Sequence, residues 1–489
     1  MPAQSEVSKI RRKIYTTIAR WTLQDELLEK INDLPDDLIK EFDIRYRCCE
    51  HKEKAILKER IRIALGLAPD EVRKHDTLAQ MAANALTHQH DSTHVVEMIE
   101  AACDRCPIDK IVVTDACRNC VAHHCLNSCP KNAIMIVQNR AYIDRNRCVN
   151  CGLCAKSCRY HAIVQITRPC EQACALDAIS PTDSGSASID YKRCVSCGSC
   201  ISACPFGSVA DDSQIIPVIQ MLKQREQRVV ALVAPSFVGQ FGPKVQPSAL
   251  AVGLRQLGFT DVVEVAKGAE MVARAEADEY LERMAAGQSF MTSSCCPAFV
   301  GLIEKHYSQF APQISHTPSP MAVIAREVKR VDPTAVTVFI GPCVAKKAEA
   351  ARARAVEAVL TFEELACLLS AADIDLTTLV AVGDINDAGA IGRGFAKSGG
   401  VANAVLGELG TQAELLKLVK ADGLVEAQQL LKTAAKGCLA ATFVEGMACQ
   451  GGCIAGPGTI VDKRIAERAL DRHCQESQME TKQTAAGSD

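Results

Sequence analysis

Cysteine is the residue that most constrains how this chain can fold. The sequence has 26 cysteines in 489 residues, and 16 of them lie between residues 99 and 212. Disulfide frameworks are typical of short secreted chains, whereas this chain is long and has no apolar run after its basic N-terminal residues. Clustered thiols in a reducing compartment usually bind metal, so we expect metal centres and a cytoplasmic location.

Bulk composition narrows the remaining classes. The net charge of −3 favours neither nucleic acid nor an anionic membrane as a partner. No stretch of about 20 uncharged apolar residues predicts a membrane span. Hydrophobic residues make up 48% of the chain, which is enough for sizeable cores in more than one domain.

Changes of pattern along the chain predict five regions. Residues 1–98 are expected to be helical, with adjacent Cys48 and Cys49 as buried or unused thiols. Residues 99–212 hold the cysteine clusters, and residues 213–228 predict a linking helix. Residues 229–472 contain the buried-strand runs VVALVAP, AVTVFIGP and LTTLVAVGD, which are typical of an α/β fold with a largely parallel sheet. Residues 473–489 form a polar tail that we expect to be frayed.

Two cysteine runs have the spacing of bacterial ferredoxins. They are Cys148-x2-Cys151-x2-Cys154-x3-Cys158 and Cys194-x2-Cys197-x2-Cys200-x3-Cys204-Pro205. Three thiolates on one tight loop can hold three corners of a [4Fe-4S] cube, and the fourth ligand comes from the other half of a two-cluster module. Zinc would favour separate CxxC pairs over a run of three.

Partner segments upstream of each run indicate an internal repeat of two tandem two-cluster modules, with the Ser-rich residues 180–188 as a surface loop. The short runs KNAI, YHAI and LDAI follow their cysteines as a strand follows a cluster loop. The predicted ligand groups are Cys148, Cys151, Cys154 and Cys129; Cys117, Cys120, Cys125 and Cys158; and Cys194, Cys197, Cys200 and Cys174.

A fourth accessory cluster is the preferred hypothesis for the cysteines that remain. Cys170 and Cys204 need two more ligands, and Cys103-x2-Cys106 is the unassigned CxxC of the region. The alternative is a degenerate site and three accessory clusters. A row of clusters in a small domain carries single electrons, so we expect the chemistry where this row ends.

Three motifs in the C-terminal half contribute the remaining clustered cysteines. They are TSSCCPAF at 292–299, GPCVAKK at 341–347 and EGMACQGGC at 445–453. Four cysteines from three distant loops can hold a buried cubane, and Gly451 and Gly452 let the backbone approach bulky inorganic matter. Lys346 and Ser236 can serve as donors to anionic ligands of such a group.

With these motifs in this order, residues 229–470 resemble the catalytic domain of [FeFe]-hydrogenases. The resemblance implies an α/β domain of two lobes, with sheets flanked by helices and a cluster in the cleft. Bacterial-ferredoxin-like α+β modules and the N-terminal helical region would precede it. It also implies an H-cluster, which is a [4Fe-4S] cubane joined to a two-iron subsite carrying CO, CN⁻ and an azadithiolate.

The resemblance assigns roles to residues of these motifs. Cys296, Cys343, Cys449 and Cys453 would ligate the cubane, with Cys453 bridging to the two-iron subsite. Lys346 and the Ala234-Pro235-Ser236 loop would contact the cyanide ligands, and Met447 would pack beside the two irons. The segment GFAKSGG at 394–400, with Ser398 and Gly399, resembles the family's glycine loop, although a plain turn explains it equally well.

Cys295 is not needed as a ligand, and in the family this position relays protons. A thiol suits that role because its pKa can be tuned toward the working pH. By the resemblance, Glu276, Glu279, Arg283 and Ser319 continue the relay, and the first three share one helix face. The alternative for that face is a solvated surface with an ion pair.

Departures from the family pattern indicate a divergent subgroup similar to the group B enzymes. This chain has Gly341 where well-studied members have Met, Phe299 where they have Trp, and Gly456-Pro457-Gly458 where they have three glycines. The loss of the methionine side chain alters packing around the di-iron site.

The resemblance implies reversible formation of H2 from protons and electrons, with ferredoxin as the external partner and maturation proteins that build the two-iron subsite. No nucleotide fingerprint is present. Other readings are an iron-sulfur assembly factor, which typically lacks the cysteine at 295, a hydrogen sensor, and a polyferredoxin, which would leave the C-terminal cysteines unexplained.

Overall fold

The computed structural model describes residues 5–87, 94–104, 106–107, 110–224, 226–380 and 388–486. The helices are α1 (Glu6–Leu23), α2 (Leu27–Lys30), α3 (Leu34–Phe42), α4 (Glu50–Ala64), α5 (Leu78–Ala85), α6 (His124–Asn127), α7 (Leu153–Ser157), α8 (Pro169–Ala173), α9 (Ser199–Ala203), α10 (Ile215–Lys223), α11 (Pro247–Leu257), α12 (Ala266–Ala285), α13 (Pro297–His306), α14 (Pro320–Val331), α15 (Ala345–Ala353), α16 (Phe362–Ala371), α17 (Ala390–Gly394), α18 (Gly400–Leu409), α19 (Leu424–Ala435) and α20 (Lys463–Ala486). The strands are β1 (Val96–Met98), β2 (Ile111–Val113), β3 (Ile134–Val137), β4 (Arg140–Ile143), β5 (Ile163–Gln165), β6 (Ile179–Pro181), β7 (Ala187–Ile189), β8 (Val209–Asp211), β9 (Val229–Val233), β10 (Asp261–Glu264), β11 (Met291–Thr292), β12 (Val336–Ile340), β13 (Ala358–Leu360), β14 (Leu418–Asp422) and β15 (Phe443–Met447).

The N-terminal helices pack on the C-terminal half of the chain. In α1, Ile10, Ile14 and Ile18 repeat every four residues and are buried in a core that also contains strand β9. Arg11 and Arg12 both pair with Glu363 on α16, at 2.6 and 2.7 Å. The helices between residues 6 and 85 therefore share a core with the sheet that they cover. Helix α10 ends at Lys223, earlier than the predicted residue 228.

The two ferredoxin-like modules are nested, which corrects the expected tandem order. Strand β1 pairs antiparallel with β8, and between them β2 pairs with β5. We call residues 111–165 the inner module, and residues 95–106 with 168–211 the outer module. The sequence did not reveal this arrangement, because the inner module separates Cys103 and Cys106 from the other cysteines of the outer module.

A β-hairpin replaces the surface loop that was predicted at residues 180–188. Strands β6 and β7 pair across residues 182–186, as β3 and β4 pair in the inner module. The hydroxyl groups of the turn hydrogen-bond one another, for example Thr182 Oγ1 with Ser186 Oγ at 2.8 Å and Ser184 Oγ with Ser186 Oγ at 3.1 Å. The Ser-rich composition therefore marks the turn and not an irregular loop.

Two parallel sheets form the C-terminal half. One has the order β10-β9-β12-β13 and the other β11-β15-β14, and every pairing in both is parallel. The runs VVALVAP and AVTVFIGP form β9 and β12, whose residues are all buried. The run LTTLVAVGD forms no strand at 376–380, and its residues 381–384 lie outside the described residues.

The polar C-terminal segment is helical, which corrects the expectation of a frayed tail. Helix α20 runs from Lys463 to Ala486, through most of the predicted tail, and His473 and Ser477 of that tail are buried. None of the described helices is both long enough and apolar enough to cross a bilayer.

Candidate iron-sulfur centres and active site

The structure brings the accessory thiols together in the four groups predicted from spacing. The pKa of Cys154 is raised by burial and by Cys129 and Cys148, and that of Cys125 by burial and by Cys158 and Cys120. In the outer module, burial raises the pKa of Cys200, followed by the thiols of Cys197, Cys194 and Cys174. Each group therefore mixes a cysteine run with one thiol from the partner half of its module.

The fourth group also assembles. Burial raises the pKa of Cys170 to about 11, with further contributions from Cys204, Cys103 and Cys106. The backbone N–H of Ala187 donates to Sγ of Cys103 at 3.3 Å, as that of Ala141 donates to Sγ of Cys117 at 3.5 Å. Ala141 and Ala187 begin or nearly begin the second strand of equivalent hairpins. Cys103 thus takes the place of Cys117 although the inner module separates it from its partners.

The same backbone N–H to sulfur hydrogen bond occurs at one thiol of each of the four accessory groups. The fourth residue after Cys129, Cys158, Cys174 and Cys204 donates its N–H to the cysteine Sγ, each time at 3.3 Å. Donors to sulfur stabilise the thiolate form that binds iron. Largely apolar cavities are lined by all four thiols of one group in each module, Cys129, Cys148, Cys151 and Cys154 in the inner and Cys174, Cys194, Cys197 and Cys200 in the outer.

Parallel strands position the four thiols of the C-terminal group. Cys296 follows β11, Cys343 follows β12, and Cys449 follows β15, with Cys453 in a 3-10 turn just beyond. Ligand sites of parallel sheets lie at the carboxyl ends of strands, where loops of different strands meet. Cys296 and Cys343 pack in one apolar cluster with Cys174 and Cys197 of the outer module, so the two thiol groups adjoin.

Burial dominates the electrostatics of this group. It raises the pKa of Cys449, with further contributions from the other three thiols and from Cys197. It also raises the pKa of Cys453 to about 12 and that of Cys343 further. Within the described part of the chain, no three His, Cys, Asp or Glu side chains can hold a single metal ion. The four thiols of a cubane bind four different irons, and four cysteines from three loops match that set of donors.

Orphaned polar atoms beside these thiols fit a cofactor with anionic ligands. The hydroxyls of Ser236 and Ser398 are buried and find no hydrogen-bond partner among the described residues. Gly452 has a φ of +91°, and a Cβ there would lie 2.6 Å from the backbone N of Ser398. The backbone at residue 452 therefore lies so close to the backbone at Ser398 that only glycine fits there. Such unsatisfied donors are costly unless a ligand accepts from them.

The glycine loop is fixed by a buried carboxylate that the sequence analysis did not single out. Glu445 accepts from the backbone N–H groups of Gly399 at 2.7 Å and Ala402 at 2.8 Å. Met447 is buried in a cluster with Phe395 and Val272, against which Cys295 packs. The position of Glu445, two residues before Met447 on β15, puts it on the same side of the strand and could have pointed to it.

Cys295 lies next to a buried carboxylate. Its pKa is raised by burial and then by Glu276, whose own pKa burial raises to about 8. Glu276 accepts from the backbone N–H of Ser294 at 3.2 Å, and its other oxygen has no partner among the described residues. The thiol and the carboxyl group are therefore both held in forms that carry a proton at neutral pH.

Ser315, and not Ser319, connects Glu276 to Glu279. Its hydroxyl donates to Glu279 at 2.7 Å, and it also lies close enough to Glu276 to oppose the rise in the pKa of that carboxyl group. Ser319 instead donates to Glu349 at 2.5 Å and caps α14, which corrects its predicted place. Sequence alone offers two serines four residues apart after an irregular segment, and no periodicity distinguishes them.

Glu279 leads from the buried pair to solvent. Although burial opposes it, bonds from the His316 N–H and Ser315 and the charge of Arg283 lower the pKa of Glu279. Arg283 pairs with it at 2.5 Å, and the exposed ring of His316 lies 3.5 Å away. The face of α12 that carries Glu276 and Glu279 is therefore not the solvated surface of the alternative interpretation. It is buried at Glu276, beside Cys295, and partly exposed at Glu279.

Lys346 lies where a donor to the C-terminal group is expected. Its Nζ donates to the carbonyl of Cys295 at 3.3 Å and pairs with Glu349 at 2.6 Å. Glu349 was missed, although its i,i+3 spacing from Lys346 on α15 is the pattern of a helical ion pair.

At each of the three positions where the sequence departs from the family pattern, the structure shows which residue lies beside the changed one. A Cβ on Gly341 would lie 2.7 Å from the ring of Phe339, so an aromatic side chain fills the space beside residue 341. Phe299 is fully buried, and its ring packs against Gly446. Pro457 contacts Gly198 of the outer module, where a Cβ would lie 2.7 Å from its ring.

A two-sheet α/β domain with a buried thiol group, joined to ferredoxin-like modules, defines an oxidoreductase of the iron-sulfur class. Residues 227–457 match the C-terminal domain of the iron-only hydrogenase large chain, residues 141–164 a 4Fe-4S binding domain, and residues 164–215 the LdpA Fe-S cluster-binding domain. Iron hydrogenase 1 of Clostridium pasteurianum is 30% identical over 393 residues, covering 67% of each chain.

The chain belongs to the iron-only hydrogenase family, and the expected fold class is confirmed. The periplasmic [Fe] hydrogenase large subunit of Nitratidesulfovibrio vulgaris is 26% identical over 53% of this chain and 75% of that protein. The cytosolic Fe-S cluster assembly factor NAR1 of Kluyveromyces lactis is 31% identical, over 19% of this chain and 21% of that protein.

Proposed function

We propose that this protein reversibly converts two protons and two electrons into H2 at an H-cluster. The observation that supports this most is the fifth thiol, Cys295, which a four-cysteine cubane does not need and which adjoins the Glu276 carboxyl group. An iron-sulfur scaffold alone has no use for a buried acid beside a spare thiol. A catalyst that consumes protons in a buried site does.

The ligands would be Cys296, Cys343, Cys449 and Cys453. The H-cluster, when bound, supplies the iron site at which protons and electrons combine. Ser236, Ser398 and Lys346 would donate hydrogen bonds to its anionic ligands, since two of these groups are otherwise orphaned. Met447 and Phe339 would exclude water from the same space.

Protons would move along side chains of this chain. Sγ of Cys295 holds the proton nearest the cluster, and the carboxyl group of Glu276 exchanges it. The hydroxyl of Ser315 passes it to Glu279, which pairs with Arg283 and faces the exposed ring of His316. Because the pKa of Glu276 is about 8, H2 production should fall as pH rises through that value and leaves the carboxyl group unprotonated.

Electrons would travel through four accessory [4Fe-4S] clusters. The group with Cys197 adjoins Cys449, so it would deliver electrons to the H-cluster. The inner module would exchange them with ferredoxin. Because these centres require thiols and low oxygen, we place the protein in the cytoplasm under anaerobic conditions and expect maturation proteins to build the two-iron subsite.

Anaerobic infrared spectroscopy of the matured protein tests the proposal. CO and CN⁻ stretching bands should appear, together with H2 uptake and evolution by the same sample. A fully iron-loaded protein that shows neither after maturation would favour an assembly role like that of NAR1 and would overturn the proposal.

The relay has its own test. Cys295→Ala should keep the infrared bands and the iron content but lower turnover roughly a hundred-fold or more, the scale of a lost acid-base group. Ser315→Ala should slow turnover and Ser319→Ala should not, because Ser315 donates to Glu279 whereas Ser319 donates to Glu349. Equal rates for these two serine variants would contradict the path.

A further inference from the structure

The two modules use one equivalent face in opposite ways. In the outer module, Val195 and Leu176 follow cluster cysteines by one and two residues and are buried in a core of the catalytic domain. Val195 faces Gly301 of α13, and Leu424 of α19 lines the cavity of that thiol group. This face therefore docks a cluster site onto the protein that receives its electrons.

The equivalent positions of the inner module are exposed. Val149 and Lys131 follow Cys148 and Cys129 by the same one and two residues. Val149 has 57% of its surface exposed, whereas Val195 has 8%. Leu153, between two ligands of the same group, is 43% exposed, and Cys151 is also an exposed residue. We call Lys131, Arg147, Val149 and Leu153 the terminal face.

The backbone conformation around the cluster cysteines is the same in the two modules, so the positions compared are structurally equivalent. Gly152 and Gly198 both have a left-handed φ, +74° and +77°, and are the N-cap residues of helices α7 and α9. Asn132 and Asp177 match in the same way, each with a φ of +48°. The difference in exposure therefore reflects what covers the face and not a change in the module.

Charge distinguishes the two modules further. Residues 111–165 contain seven Lys or Arg and two Asp, whereas residues 95–106 and 168–211 together contain four Lys or Arg and eight Asp or Glu. Both modules have ligands for two clusters, so the excess of basic residues is not needed to offset cluster charge. Lys131 has no carboxylate partner among the described residues, and Arg147 approaches Asp144 only to 3.8 Å.

We infer that the terminal face docks an acidic one-electron carrier protein of the ferredoxin kind. Exposed apolar side chains beside a cluster would pack against the partner, and the exposed basic side chains of Lys131 and Arg147 would attract its acidic surface. This rests on the proposed function, because it names where the electron carrier binds. The inner group with Cys151 would then be the terminal site of the cluster chain.

Charge reversal of the holoenzyme tests the inference. Lys131→Glu combined with Arg147→Glu should weaken binding of an acidic bacterial ferredoxin about ten-fold or more and reduce the salt dependence of the affinity. Reduction of the accessory clusters by that ferredoxin should slow accordingly, whereas H2 oxidation with a small dye should not. The neutral pair Lys131→Gln and Arg147→Gln should give an intermediate effect and guards against loss of the cluster.

Lys432→Glu combined with Arg464→Glu is the matched control, since it reverses two exposed charges of the catalytic domain. If this control weakens ferredoxin binding as much as the terminal-face variant, or if the terminal-face variant binds like wild type, the inference is wrong. Loss of dye-linked activity and of the infrared bands in the unmodified protein would instead count against the proposed function.

Discussion

The inner and outer modules carry the same cysteine pattern in two different settings. The inner module has a core of its own, built from residues between 111 and 163 such as Ile111, Ile134 and Ile163. The outer module shares its core with Val344 and Ala348 of the catalytic domain. The same cysteine pattern therefore occurs in a module with its own core and in a module whose core is shared with the catalytic domain.

A buried charge network fixes the outer module and has no counterpart in the core of the inner one. Lys347 is fully buried on α15 and pairs with Asp211 of β8 at 2.8 Å and with Glu364 of α16 at 3.1 Å. Its Nζ also donates to the carbonyl of Asp212 at 2.6 Å. Burying these charges is tolerable only because each finds its partners, so the network specifies one arrangement of the two parts.

Removal of Lys347 should produce the largest effect. Lys347→Met leaves the carboxylates of Asp211 and Glu364 buried without their cation, which typically costs about 3–5 kcal/mol. We expect a much lower yield of folded protein and a reduced denaturation midpoint. Lys329→Met is the control, because Lys329 and Glu357 pair near the surface at 2.5 Å and their loss should cost less than about 1 kcal/mol. Similar midpoints for the two variants would show that the network does not join the module to the domain.

A matched pair of glycines should give the next largest difference. Gly198→Ala and Gly152→Ala both force alanine into a left-handed conformation, which costs roughly 1–2 kcal/mol in each module. The new methyl group at 198 would also meet the Pro457 ring, whereas at 152 it would meet the mobile end of Gln165. We expect Gly198→Ala to be the more destabilising by about 1–3 kcal/mol, as overpacking usually is.

Denaturation curves and the electron paramagnetic resonance of the reduced clusters measure this difference. The signals of the outer clusters should be perturbed in Gly198→Ala and retained in Gly152→Ala. Equal stability of the two variants would contradict a tight junction at Pro457.

Local chemistry was predictable from the sequence, and long-range order was not. Spacing alone grouped the 16 accessory cysteines, because ligands of one cluster must come from a tight loop and one partner half. Spacing could not reveal that the inner module is inserted, since strands β1 and β8 are too short to show a period. The helical C-terminal segment was also missed, because the residues that it buries, His473 and Ser477, are polar and show no apolar period.

The same division applies to the candidate active site. Motifs located the buried thiols, Lys346 and Ser236, because each belongs to a local pattern. Ser315 was missed and Ser319 was wrongly included, since the bond between Ser315 and Glu279 joins residues 36 apart in sequence. Phe339 likewise fills the space beside Gly341 through side-chain packing that composition does not encode.

Excision of the inner module should have the smallest effect on the rest of the fold. Its two ends meet, because Ile111 pairs with Gln165 and the N–H of Ile166 donates to the carbonyl of Lys110 at 2.7 Å. A short Gly-Ser linker in place of residues 111–165 should therefore leave the outer module folded, with a midpoint shift of a few degrees at most, roughly the scale of 1 kcal/mol.

Iron should fall by two four-iron clusters, or about eight atoms. Because the outer groups keep all eight cysteines, including Cys103 and Cys106, their spectra should remain. A shortened chain that loses the outer clusters as well would show that the inner module supports the outer core and that the two are one folding unit.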